Sequence, residues 1–169
     1  YEVPLLEDGL YAELQFCWPL TPAVKAFDEN GWVLYCSSFT KTVAPDFHLG
    51  WIAAGRFSQE LARLKSVSSL AESRLLSETL GIFLESGGYD HHLRSLRRRY
   101  AAQLEEARGI IARHFPHGTR APRPSGGFVC WVELPGNIHS HELFHRLLQD
   151  RTRARLNSSH AQDSYAVLV

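Results

Sequence analysis

Ser37-Ser38-Phe39-Thr40-Lys41-Thr42-Val43-Ala44-Pro45-Asp46-Phe47-His48-Leu49-Gly50-Trp51 is the stretch on which the reading of this chain turns. It follows the strand-like run Trp32 to Cys36, and Leu49 to Ala54 reads as the next strand. Lys41 therefore falls between two strands, not on a solvated helix face. Partial burial there would disfavour its charged form, and a neutral amine can attack a carbonyl. Small hydroxyls at Ser37, Ser38 and Thr40 accompany it. Taken alone, the motif fits an exposed loop lysine better, so the rest of the chain has to decide.

Upstream, Val3 to Leu6 is a short apolar run ending in Glu7-Asp8. It predicts a buried parallel strand with acids at its C-terminal end, where ligands gather in open α/β sheets. Thr21 to Phe27 predicts a short surface helix or turn, and Asp28-Glu29-Asn30-Gly31 a turn. Ser58 reads as the N-cap of a helical, serine-rich region reaching about Leu84, which Gly87-Gly88 stops. Tyr89 to His114 predicts one long amphipathic helix, with Leu93, Leu96, Tyr100, Leu104, Ala107 and Ile111 along one stripe. Arg97-Arg98-Arg99 reads as a solvated face of that helix, since Glu105 and Glu106 follow on it. Phe115 to Arg123 is a connector, Gly127 to Leu134 a strand, and Ser140 the cap of a helix from His141 to Gln149.

Composition narrows the function classes. The 169 residues are 44% apolar and 21% charged with zero net charge, so the chain carries no electrostatic footprint for nucleic acid. No run of about 18 apolar residues marks a membrane helix. Cys17, Cys36 and Cys130 are odd in number and widely spaced, which suits reduced thiols in the cytoplasm better than a disulfide framework or a zinc site. His91, His92, His139 and His141 fit no metal-ligand spacing and read as exposed.

Four blocks carry a family likeness: Pro4 to Leu14, Ser37 to Trp51, Glu85 to Asp90, and Pro124 to Pro135. In order and spacing they resemble the fold-type I pyridoxal phosphate (PLP) enzymes, the aminotransferase family. Within it they resemble the aminotransferase-like domain of MocR/GntR-type transcriptional regulators. The resemblance implies a partial aspartate aminotransferase-like α/β fold. Residues 1–88 would be the C-terminal part of the large PLP-binding domain, 89–114 a linking helix, and 115–169 an incomplete small domain. A whole domain of this kind is about twice as long, so the resemblance also implies a fragment.

The same resemblance assigns roles. Lys41 would anchor PLP covalently and shuttle a proton. Asp8 would pair with the pyridine nitrogen, and Tyr11, three residues on, with the ring oxygen. Ser38, with Thr40, would bind the phosphate. His48 stands where close relatives carry an arginine; it offers fewer donors and a pH-dependent charge. Arg155 lies in a segment resembling the substrate-carboxylate arginine. The implied ligands are an amino acid or 2-oxo acid, DNA would be met only through an absent N-terminal domain, and a homodimer is expected. A regulator sensing PLP or an amino acid and an aminotransferase of the aminoadipate or aromatic class share this part of the fold. The wording of Glu7 to Leu14 and Glu85 to Asp90 favours the regulator. The tail lacks residues usual before Arg155, which predicts a break in space near residues 150–154.

Overall fold

The computed structural model describes residues 2–69, 72–136, 140–149, 155–156 and 166–168. The chain divides into two units, Tyr1–Arg97 and Arg98–Val169, with the division falling inside one long helix.

The first unit is built on a three-stranded sheet of β1 (Leu5–Asp8), β2 (Val33–Ser38) and β3 (Gly50–Ala53), in that order. β1 and β2 run parallel, with Leu5 opposite Val33 and Asp8 opposite Cys36; β2 and β3 are antiparallel, with Ser38 opposite Gly50. The start of β2 is fixed by carboxylates. Asp28 Oδ1 accepts from the Trp32 amide at 2.9 Å, and Oδ2 accepts from the Val33 amide at 2.9 Å and from Lys25 Nζ at 2.8 Å. Gly31, at φ 74°, supplies the left-handed turn between them. Glu7 on β1 accepts the amides of Val24 and Lys25 at 2.8 and 2.9 Å, and Lys25 Nζ donates to the Val33 carbonyl at 2.6 Å. These bonds tie the 3-10 turn Val24–Phe27 to both parallel strands. The hydrogen bond from Lys25 above all, helped by the two amides and opposed in part by burial, holds the Asp28 carboxyl far below its ordinary range.

Three expectations are corrected here. β1 is not buried: Leu6 is 66% exposed, because β1 is the edge of this sheet and no described residue covers it. The region from Ser58 to Leu84 is two helices, α1 (Ser58–Ser68) and α2 (Arg74–Glu85). Ser69 is extended where α1 ends, and Ser73 caps α2 by accepting the Leu76 amide at 3.5 Å. Ser58 is no N-cap, since its hydroxyl donates back to the Gly55 carbonyl at 2.6 Å.

α3 (Gly88–His114) starts one residue before the predicted position. Leu93, in the first unit, and Leu104 and Ile111, in the second, are its buried stripe. In the second unit, Cys130, Val132 and Leu134 are also buried. There β4 (Trp131–Glu133) is shorter than the strand expected at 127–134, and Arg120 bridges Glu133 through two backbone bonds of 2.9 and 2.8 Å. α4 (Ser140–Gln149) follows, then β5 (Arg155–Leu156) and β6 (Ala166–Leu168), which form an antiparallel sheet in the order β4-β6-β5. No helix among the described residues is long and apolar enough to cross a membrane. The expected break at 150–154 lies outside the described residues, as does His139.

Candidate functional site

The candidate residues collect at the C-terminal ends of the parallel pair. Asp8 is the last residue of β1, and its Oδ1 accepts the Leu10 amide at 3.0 Å, an Asx contact that opens the following turn. The ladder runs one step beyond the strand: the Gly9 amide donates to the Cys36 carbonyl at 2.8 Å, and Ser37 Oγ to the Gly9 carbonyl at 3.2 Å. Asp8 itself stays exposed, as does Tyr11, whose carbonyl accepts the Leu14 amide in the 3-10 turn Ala12–Leu14. Gly9 has a steric reason to be glycine: a Cβ there would lie 2.1 Å from the Tyr35 hydroxyl oxygen and 2.2 Å from Cζ. Tyr35 packs on Trp51 with ring centroids 5.4 Å apart. Burial, then the carboxylates of Glu13 and Glu7, raises the Tyr35 hydroxyl above its ordinary pKa.

β2 ends in the lysine turn. The Phe39 amide donates to the Leu49 carbonyl at 2.9 Å, and the Val43 amide to the Phe39 carbonyl at 2.7 Å. Lys41 stands at the turn's exposed surface. Ser38 Oγ lies 2.7 Å from Thr40 Oγ1 and 3.1 Å from the Leu49 carbonyl, and it accepts the Thr40 amide at 3.1 Å. His48 closes the 3-10 turn Pro45–Phe47 with φ 47° and ψ 27°, a left-handed backbone in a non-glycine residue. Arg155 is placed in β5 opposite Leu168, in the second unit.

Several residues outside these expectations meet at the same turn. Thr42, beside Lys41, is only 2% exposed. Its hydroxyl lies 3.1 Å from Tyr89 Oη, its carbonyl 2.7 Å from His92 Nε2, and the Tyr89 hydroxyl also donates to Glu13 Oε2. Arg97 Nε donates to the Glu13 carbonyl at 2.6 Å. Burial, then the bond to Glu13, holds the Tyr89 hydroxyl well above the ordinary tyrosine range, so it stays protonated. His92 and Arg97 are thus half-buried and bonded, whereas the sequence read them as solvated. The available signal was the spacing of Tyr89 and His92, one turn apart on one helix face.

Comparison with known proteins gives the arrangement a family context. No family model matches the chain. It is 36% identical over 143 residues to the uncharacterized HTH-type transcriptional regulator YdcR of Escherichia coli, covering 85% of this chain and 31% of that protein. It is 30% identical over 139 residues to aromatic-amino-acid aminotransferase 1 of Thermococcus litoralis, covering 82% and 33%. The multiple substrate aminotransferase of Thermococcus profundus superposes over all of this chain and 43% of its own, with a TM-score of 0.84 at 25% identity. The chain has the fold of part of an aminotransferase. This aminotransferase-type segment spans about a third of the length of the curated relatives it matches. The relatives include HTH-type regulators and aminotransferases, and aspartate aminotransferase-like structures match this chain as one segment of their fold.

Proposed function

We propose that this segment is the PLP-binding, aminotransferase-like part of a MocR/GntR-type transcriptional regulator that senses PLP, an amino acid or both. One observation carries the proposal: Asp8 and the Lys41 turn end neighbouring parallel strands, at the carboxyl end of the sheet where an α/β protein holds its ligand. Two relatives that are HTH-type regulators, at 36% and 33% identity, support the regulatory half. The donor set suits PLP: an exposed primary amine, an exposed carboxylate and a pair of hydroxyls within one sheet end. When bound, PLP supplies an electron sink for chemistry at an amino acid's Cα.

The residues divide that work. Lys41 would hold the cofactor's aldehyde carbon and carry the substrate proton. Asp8 would hold the pyridine nitrogen's proton, and Tyr11 would bond the ring oxygen. At the phosphate, the Ser38 and Thr40 hydroxyls, 2.7 Å apart, would serve as a pair of donors. His48 gives a further donor, and Arg155 receives the substrate carboxylate. DNA would be contacted by another domain, and the protein would act as a homodimer in the cytoplasm. Residues 1–88 would then belong to the large domain, 89–114 to the linking helix and 115–169 to the small domain.

The test is reductive trapping in the full-length protein. PLP followed by borohydride should label the peptide bearing Lys41, and Lys41→Ala should remove both the label and the visible absorbance of lysine-bound cofactor. Label on another lysine would sink the assignment. The second reading, an aminotransferase acting on amino acids and 2-oxo acids, is favoured by the match to the Thermococcus litoralis enzyme. Turnover of an amino acid and a 2-oxo acid by the full-length protein would favour it, and a ligand-dependent change in DNA binding without turnover would favour the regulator.

A further inference from the structure

Thr42 is gripped from two elements. From α3, His92 Nε2 sits 2.7 Å from its carbonyl and the Tyr89 hydroxyl 3.1 Å from its side chain. A carbonyl only accepts, so His92 must carry its proton on Nε2. Tyr89 has one proton and donates it in the bond to Glu13; Thr42 therefore donates its own proton to the Tyr89 oxygen. Glu13 comes from the 3-10 turn that follows Asp8, and Arg97, five residues further along α3 than His92, fixes the Glu13 backbone at 2.6 Å. Among the described residues no buried polar side-chain atom lacks a partner, so the set is closed. Tyr89 is locked in turn by edge-on contacts with Phe39, at 5.8 Å, and Phe83, at 6.2 Å. A chain of hydrogen bonds thus runs from Glu13, in the turn after Asp8, through Tyr89 to Thr42, the residue beside Lys41.

We propose that Glu13, Tyr89 and His92 are positioning residues for Lys41: by fixing Thr42 through both its carbonyl and its hydroxyl, they set where the neighbouring amine can reach relative to Asp8. This rests on the reading of Lys41 as the cofactor lysine. None of the three touches the reacting atoms. Their contribution is the entropy of a turn that would otherwise have to be ordered when ligand binds. The amine is exposed, so its placement depends on the backbone that carries it.

The test uses the full-length protein in two measurements. Hydrogen exchange of residues 40–44 without cofactor reads the turn directly. The rate at which borohydride traps PLP on Lys41 reads the amine. Tyr89→Phe keeps the ring contacts and removes the hydroxyl; His92→Leu removes the donor; His92→Gln restores a donor near Nε2. Tyr89→Phe and His92→Leu should both speed exchange in the turn and slow trapping about tenfold, since small misplacements of a reacting group are costly. His92→Gln should recover most of both. Wild-type trapping and exchange in Tyr89→Phe and His92→Leu would overturn the proposal. So would lowered melting temperatures with turn exchange and trapping unchanged, or a His92→Gln protein no better than His92→Leu. Should wild-type Lys41 trap no PLP, the cofactor reading falls, and exchange at Thr42 and Val43 still decides whether these residues hold the turn.

Discussion

β1 ends at Asp8 in a turn held by backbone bonds and one Asx contact, whereas β2 ends in a turn whose far half is buried beneath helix α3. Both present a charged side chain outward. Asp8 needs little help: a short side chain at a strand end has few places to go. Lys41 has four methylenes and would cost about 2 kcal/mol of rotamer entropy to order. The neighbouring buried threonine limits where that long side chain starts. A short functional group is placed by the strand, and a long one by the packing next to it.

The largest effect that would break this contrast is Lys41→Ala in the full-length protein. Trapping of PLP should vanish while thermal stability barely moves, because the side chain is exposed. A fall in stability would mean that Lys41 has a packing role as well.

Leu14→Ala attacks the Asp8 side. Leu14 is 0% exposed at the end of the 3-10 turn that carries Glu13, so its truncation should cost about 2–5 kcal/mol. Calorimetry of the variant measures this, and exchange in both turns should rise together.

Gly9→Ala comes next. Its new methyl would drive the Tyr35 ring aside, at a cost of about 1–3 kcal/mol of overpacking. Adding Tyr35→Ala should return part of that loss in a double-mutant cycle. Strict additivity would show that the ring is not the obstacle.

The smallest effect concerns pH and the start of β2. The Asp28 carboxyl is depressed in the folded chain from an ordinary 3.8, so its stabilisation is present above about pH 4 and is lost as pH falls below it. Amide protection at Trp32 and Val33 should decline over that acid range. In Asp28→Asn that decline should be absent, with protection lower throughout.

The strands and the long helix were legible because their signals are local. Apolar runs bounded by Asp28-to-Gly31 and Gly50 give β2 and β3, and a six-position stripe gives α3 to within one residue. The exposure of β1 was not legible, since Val3 to Leu6 reads the same whether or not a neighbour covers it. The break between α1 and α2 was missed because serine-rich sequence accommodates both a helix and its cap. At the site, the family resemblance singled out Asp8, Ser38, Thr40 and Lys41, and the structure puts Asp8 and Ser38 at the ends of neighbouring parallel strands. The grip on Thr42 could not be read that way: Glu13, Thr42 and the Tyr89–His92 pair are far apart in sequence, and each alone reads as an ordinary half-buried or solvated group.

His48 sets a rule for anyone varying this segment. With φ at 47°, the position tolerates residues in proportion to their ease in left-handed backbone, whatever their side chains offer a ligand. Glycine should be the most accommodating replacement and asparagine or aspartate the next, while valine and isoleucine should be rejected even where volume allows them. An arginine introduced for a stronger charge would inherit the same backbone, so its gain in affinity would be offset in part by conformational cost. A saturation library at position 48 would therefore sort first by backbone preference and only then by chemistry.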